Sequence, residues 1–354
     1  MGMLFSWSVG SSGSGSDRFA LYVPFTVSLG CEISLIDKGI EHHIDGYKVK
    51  LEKLTNFYAI TVGEFDSIDK AHQFFPKLCS SFLWASLKLN AGISYPKLIT
   101  EINIEDNPTK ISKDRNFTMV VDSVGWSELD GNYDANKAVV IPDGKKLIKT
   151  ELSNPRVVIG FNADNFVKFI SEAISFESPE NIVNDKKLEL AISLYSASHY
   201  EVSDNAKFIT LVNVLEALKK QEEIPDATKE VLKSAKSLIK EKRDLCKKDS
   251  EERRELEDLI SRIGQLKKQS VNKSIKKFVS ETIKENIELG DQEETSKKIS
   301  DIYDLRSKLL HDGIADYKKI KKELHFLIGF IPKLLEYLYQ KEAGHSRLSL
   351  DMKA

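Results

Sequence analysis

Zinc and disulfide chemistry find little to build on in this sequence. Its 354 residues include three cysteines, Cys31, Cys79 and Cys246, with no CxxC spacing and no neighbouring histidine cluster. Neither a metal site nor a disulfide framework is expected, and a reducing cytoplasm fits best. No run of about 18 apolar residues is present, which speaks against a membrane span, and the N-terminus lacks the basic start and long apolar stretch of a secretory signal. The opening MGMLFS matches a myristoylation pattern only superficially, in a form short enough to recur by accident. A Walker-type GK[ST] loop and a Rossmann glycine fingerprint are both absent, so no self-sufficient nucleotide enzyme is indicated. Charge of one sign is lacking as well. The formal net charge of -2 excludes a surface built throughout for nucleic acid, while leaving room for a local patch.

What is present divides the chain in two. Glycine, proline, aromatic and β-branched residues crowd the first half, whereas Lys, Glu, Leu and Ile at helical spacing fill the second. After a small-residue leader over residues 1–17, the runs LYVPFTVS, YKVKLEKL and NFYAITVGEF alternate as half-buried strands do. Ser67 is placed to cap a helix running to about Asn90, with Gly92 as its stop. FTMVVDSVGW and KAVVIP read as further strands. The expectation is an α+β domain over 18–160, with a possible sensing or regulatory role. An all-α bundle over 161–342 and a tail over 343–354 follow. In the bundle, Phe208, Leu211, Val212, Leu215 and Leu218 keep the spacing of a buried stripe. Amphipathic helices are expected over 226–246 and 250–288, and Thr295 is a plausible cap for the helix carrying YDLRSKLLHDG. A last helix runs from Asp316 to about Glu342 on a seam of Ile320, Leu324, Leu327, Ile331, Leu334 and Leu338, with a kink expected at Pro332.

Chemistry concentrates at Arg306 to His311. His311 sits on the last turn of its helix, where exposed carbonyls favour a protonatable imidazole, and Gly313 is the usual terminator. RNA cleavage without metal needs a group that exchanges a proton near neutral pH, which His supplies. It also needs a permanent cation for the pentavalent phosphate, and the planar Arg fork matches two phosphate oxygens. The 2'-hydroxyl is then the nucleophile. Ser307 can donate to the phosphate or orient His311. On an ideal helix Arg306 and His311 lie about 140° apart, so either the helix end distorts or a second copy brings its own residues to a composite site.

At these residues the chain resembles a known family. LYSASHYEVSDNAKFITLVNVLEALKK followed by DIYDLRSKLLHDG is similar to the HEPN superfamily, and more narrowly to the ApeA-like HEPN proteins of bacterial defence systems, over roughly residues 160–342. The resemblance implies an all-α HEPN-type helical bundle that forms a homodimer and cuts RNA without metal or cofactor. Residue by residue, Arg306 and His311 match the catalytic pair and Glu216 an acidic position on an earlier helix. Ser307 departs from the Asn, Asp or His common after the Arg. Tyr303 and Asp304 are auxiliary candidates. The resemblance implies a role in phage defence or as a toxin; a trigger bound by the N-terminal domain is an expectation from the two-domain architecture alone.

Blander readings stand beside these. The helical domain is alternatively a non-catalytic interaction module in which Arg306 pairs with Glu216 or Asp304, or a module that binds nucleotides. Lys267, Lys268, Lys273, Lys276, Lys277 and Lys308 are candidates for tracking an RNA backbone by counterion release. Lysine-rich helix faces are usually only solvated, and no aromatic residues interleave here for base stacking. His42 and His43, beside Glu41 and Asp45, read as a surface loop rather than a metal site. His72 and His199 read as face residues, His325 as a partly buried structural residue, and Phe82 and Trp84 as core.

Overall fold

The computed structural model describes residues 18–28, 31–35, 39–54, 57–101, 119–121, 126–128, 137–142, 146–148, 159–220, 223–266, 269–313 and 316–344. An N-terminal sheet region precedes a helical C-terminal region. The strands are β1 (Phe19–Val27), β2 (Cys31–Ser34), β3 (Gly39–Ile44), β4 (Tyr47–Lys53) and β5 (Tyr58–Phe65). Helix α1 (Ile68–Leu89) follows, then β6 (Ile93–Ser94), β7 (Leu98–Glu101), β8 (Met119–Val121), β9 (Trp126–Glu128), β10 (Lys137–Pro142), β11 (Lys146–Ile148) and β12 (Ile159–Asn162). The helices continue with α2 (Ala163–Ile174), α3 (Asn181–Asn184), α4 (Lys186–Ser198), α5 (Asp204–Leu218), α6 (Asp226–Leu245) and α7 (Glu251–Gln265). They end with α8 (Val271–Glu285), α9 (Gln292–Asp312) and α10 (Tyr317–Glu342). The expected leader and everything beyond residue 344 lie outside the described residues.

Two compact units emerge, Met1–Thr210 with Ile331–Ala354, and Leu211–Phe330. The boundary expected near residue 160 does not coincide with either edge.

In the first unit, strands run in the order β3-β4-β5-β1-β10-β7, with β6 also paired to β1. All pairings in this sheet are antiparallel except β10 with β7. Strand β4 alternates as its sequence pattern suggests, burying Val49 and Leu51. The alternation expected of LYVPFTVS and NFYAITVGEF is overridden. Ala20 to Phe25 and Tyr58 to Gly63 are buried without a break, because β1 and β5 are interior strands enclosed on both faces. The β3-β4 turn uses Asp45 at φ 52° and Gly46 at φ 81°, the paired positive angles a two-residue hairpin needs.

Ser67 caps α1 as expected, its hydroxyl accepting from Lys70 N at 3.3 Å. The helix ends where expected, at Leu89, but the residue that stops it is Asn90, in the left-handed region at φ 51°, and not Gly92. Gly92 serves closeness instead. A Cβ there would lie 2.5 Å from the Tyr200 ring and 2.6 Å from the Ser196 carbonyl. Helix α2 packs into the same core as the sheet through Phe166, Val167 and Ile170. The end of α10 adds Tyr339, whose ring lies 4.8 Å from that of Trp84 and whose hydroxyl meets Ser80 Oγ at 2.6 Å.

The second unit is helical. Leu211, Val212, Leu215 and Leu218 of α5 are buried, as are Ile275, Val279 and Ile283 of α8, Ile299, Ile302 and Leu305 of α9, and Ile320, Leu324 and Leu327 of α10. The segment expected as one helix over 250–288 is two, since Ser270 caps α8 by accepting from Lys273 N. Helix α9 begins earlier than expected. Asp291 is its cap, accepting from Glu294 N at 2.8 Å, and Thr295 is buried inside the helix. Helix α10 continues through Pro332; Ile331 and Leu334 of the expected seam are fully buried, but beyond them Leu335 and Tyr339 are buried in place of Leu338, which is half-buried.

Candidate functional site

Helix α9 carries the chemistry-bearing residues of the second unit. Its apolar stripe of Ile299, Ile302 and Leu305 faces the core and fixes its rotation, so Tyr303, Arg306 and Ser307 fall at the edge of the stripe, half-buried. Gly313 ends the helix in the left-handed region at φ 65°, and His311 occupies the last turn in the open. Five residues separate Arg306 from His311, so along a regular helix they are about 7.5 Å apart in rise and about 140° apart in direction.

Arg306 is held by α5. Its Nη2 donates to Asn213 Oδ1 at 3.0 Å, and its Nη1 lies 3.5 Å from Glu216 Oε1. Tyr303, one turn back on α9, sits with its ring 5.8 Å from the guanidinium carbon. Burial raises the Tyr303 hydroxyl above its ordinary range, and the charge and hydrogen bond of Glu216 raise it further, against the opposing effect of Arg306. The phenol therefore stays protonated as a donor to Glu216. Arg306 Nε is enclosed with no hydrogen-bond partner among the described residues. These contacts define a compact Asn213, Glu216, Tyr303, Arg306 cluster.

Asp304 belongs to a different contact. It accepts from Asn272 Nδ2 at 2.8 Å, and the same amide donates to the Ser300 carbonyl at 3.3 Å, tying the start of α8 to α9. Ser307 lies half-buried on the face it shares with Tyr303 and His311, four residues from each. Lys273, Lys276, Lys277 and Lys308 are exposed, with Lys277 3.7 Å from Glu281 along α8. Lys267 and Lys268 lie outside the described residues.

The other histidines correct several expectations. His42 and His43 lie on β3, not in a loop, and His42 Nε2 is 3.8 Å from Asp164 on α2. His325 is exposed, because one position beyond buried Leu324 turns it about 100° from the seam. His199 terminates α4 and is largely enclosed, its ring edge-on to Tyr195 at 4.9 Å. Burial, with Lys207 nearby, lowers its pKa to about 4. Phe82 and Trp84 are fully buried, as core residues should be. Among the described residues no group of three or more His, Cys, Asp or Glu could hold a metal ion, and no helix is long and apolar enough to cross a membrane.

Asn213 is the member of the cluster that sequence reasoning missed. Its signal was present. In VNVLEAL, Asn213 and Glu216 are three residues apart on one helix face, a polar pair set into the stripe of Leu211, Val212, Leu215 and Leu218. Comparison of the chain with protein-family models, curated proteins and solved structures gave no match.

Proposed function

We propose that the protein is a metal-independent endoribonuclease of HEPN type. In this reading His311 takes a proton from the RNA 2'-hydroxyl. The oxygen attacks phosphorus and the bond to the 5'-oxygen breaks, leaving a 2',3'-cyclic phosphate and a 5'-hydroxyl that receives a proton. Arg306 neutralises the charge that builds on the phosphate oxygens, and Ser307 assists by a hydrogen bond. The observation that carries the reading is the contrast along α9, an arginine oriented by Asn213 and Glu216 and a histidine exposed five residues later at the helix end. A cation fixed in direction loses little freedom on meeting a phosphate.

The angle between the two residues calls for a second copy, so the active form is a homodimer through the helical domain with a composite site. The first unit, which holds the sheet, is the candidate receiver of an activating trigger. A cytoplasmic role in phage defence or as a toxin, with RNA as the substrate, accords with a nuclease that is silent until triggered.

One observation favours a second reading. The 3.5 Å approach of Arg306 to Glu216 is what a structural ion pair in a non-catalytic interaction or nucleotide-binding module would show. The two are separated by incubating purified protein with end-labelled single-stranded and structured RNAs, with and without EDTA, beside His311→Ala. Cleavage that survives EDTA and is lost in the variant supports the nuclease. Cleavage that persists in a folded His311→Ala protein removes His311 from the reaction.

A further inference from the structure

Helices α6 and α7 form an antiparallel pair joined by a short connection, and Arg253 near the start of α7 reaches the Arg243 carbonyl near the end of α6 at 3.5 Å. The pair is thinly covered. No residue of α6 is buried, and Ile263 is the buried residue of α7 among those described. Leu232, Ala235 and Ile239 of α6, with Leu256, Ile260 and Ile263 of α7, are its least exposed apolar side chains and mark the seam between the helices.

One side of this seam is apolar in a way the unit itself does not use. Val231, Leu238 and Leu245 recur every seventh residue on α6 and are 67%, 58% and 82% exposed. Leu259 and Leu266 repeat the spacing at the end of α7, 42% and 57% exposed. Each comes one position before the seam line on its own helix. In a parallel pair such positions would flank opposite sides. Reversing one helix exchanges its flanks, so in this antiparallel pair all five share a single side.

We propose that this face is a self-association surface, on which a second copy of the chain packs its own α6 and α7 to make a four-helix layer. The charges on the face specify that occupant. Glu255 and Arg262 are exposed on α7, one turn before and one turn after Leu259, and within about 60° of it around the helix. When two α7 helices cross antiparallel about a two-fold axis at Leu259, Glu255 of each copy meets Arg262 of the other. The same patch is thus its own complement, the condition a two-fold interface must satisfy. A helix of 20 residues beside its partner offers a face of about 30 by 20 Å, on the order of 600 Å² from each copy, within reach of what specific dimers bury. A basic nucleic acid tracker would instead carry lysines along this face, where α7 presents Leu, Glu and Arg. The surface is separate from the Arg306 cluster and holds whether or not RNA is cut.

Sedimentation of the full chain over a concentration series tests this, with far-UV circular dichroism to confirm folding. The wild type is expected to be a dimer at tens of micromolar. Leu238→Glu and Leu259→Glu, both at exposed positions, are expected to weaken it at least about tenfold with unchanged helicity. E255R and R262E are each expected to weaken it several-fold, because like charges then meet across the axis, and E255R/R262E together to restore it. A wild type that stays monomeric overturns the proposal. So does a dimer indifferent to both leucine substitutions, or a double reversal that fails to recover what the single reversals lost.

Discussion

Arg306 on α9 and Glu216 on α5 lie 3.5 Å apart, ninety residues separated in sequence and both mostly buried. The pair links two helices of the second unit, and its removal has a structural cost as well as a chemical one. Arg306→Ala leaves Glu216 enclosed with Tyr303 as its remaining partner, and a loss of about 2 kcal/mol is expected in chemical denaturation. Glu216→Gln keeps an acceptor for Arg306 and should cost less than half of that. Equal losses in the two variants would show that packing, and not charge, holds Arg306.

His311→Ala tests the proposed nuclease role apart from folding. The imidazole is exposed on the final turn of α9, so its removal opens no cavity and the midpoint of unfolding should move by less than about 0.5 kcal/mol. Cleavage of RNA should fall by about a hundredfold or more, the usual contribution of a general base. A variant that unfolds readily would place His311 in a structural role.

Acid should destabilise the first unit through His199. Its folded pKa of about 4 lies below the ordinary 6.5, so the unfolded chain takes up the proton first. The contribution of the neutral ring is complete above pH about 6.5. It is lost as the pH falls toward about 4, by up to about 3 kcal/mol. His199→Gln should flatten stability against pH in that window. An unchanged slope would assign the acid sensitivity to other groups.

Gly92→Ala tests the close approach beside α4. The new methyl would overlap both the Tyr200 ring and the Ser196 carbonyl. The carbonyl belongs to the α4 backbone and cannot swing aside, so a loss of about 2 kcal/mol is expected in thermal unfolding. A neutral effect would mean that the α1-β6 connection shifts freely.

Strands and helices were legible where local period and capping chemistry decide them. Ser67 before an apolar run and Gly313 after His311 each force one local geometry, and each sits where expected. The departures came from long-range packing. The central strands β1 and β5 lost their alternation because both of their faces are covered, whereas β4, also flanked by two strands, keeps its alternation. Asp291 displaced Thr295 as a cap because both can end a polar break, and only burial tells which residue goes inside. At the site, the i,i+5 spacing of Arg306 and His311 was visible, whereas the anchoring of Arg306 by Asn213 depends on how α5 packs on α9. The assignment of residues 331–344 to the first unit was illegible, since their helical pattern runs on unbroken from residue 317.

That assignment has a consequence for the order in which the chain is made. Tyr339 completes the cluster with Trp84 and Phe176. During synthesis, the first unit therefore waits with an open apolar wound at Trp84 until more than two hundred further residues have been added. Its folding cannot finish as an independent early event on the ribosome, and closure of its core waits for α10.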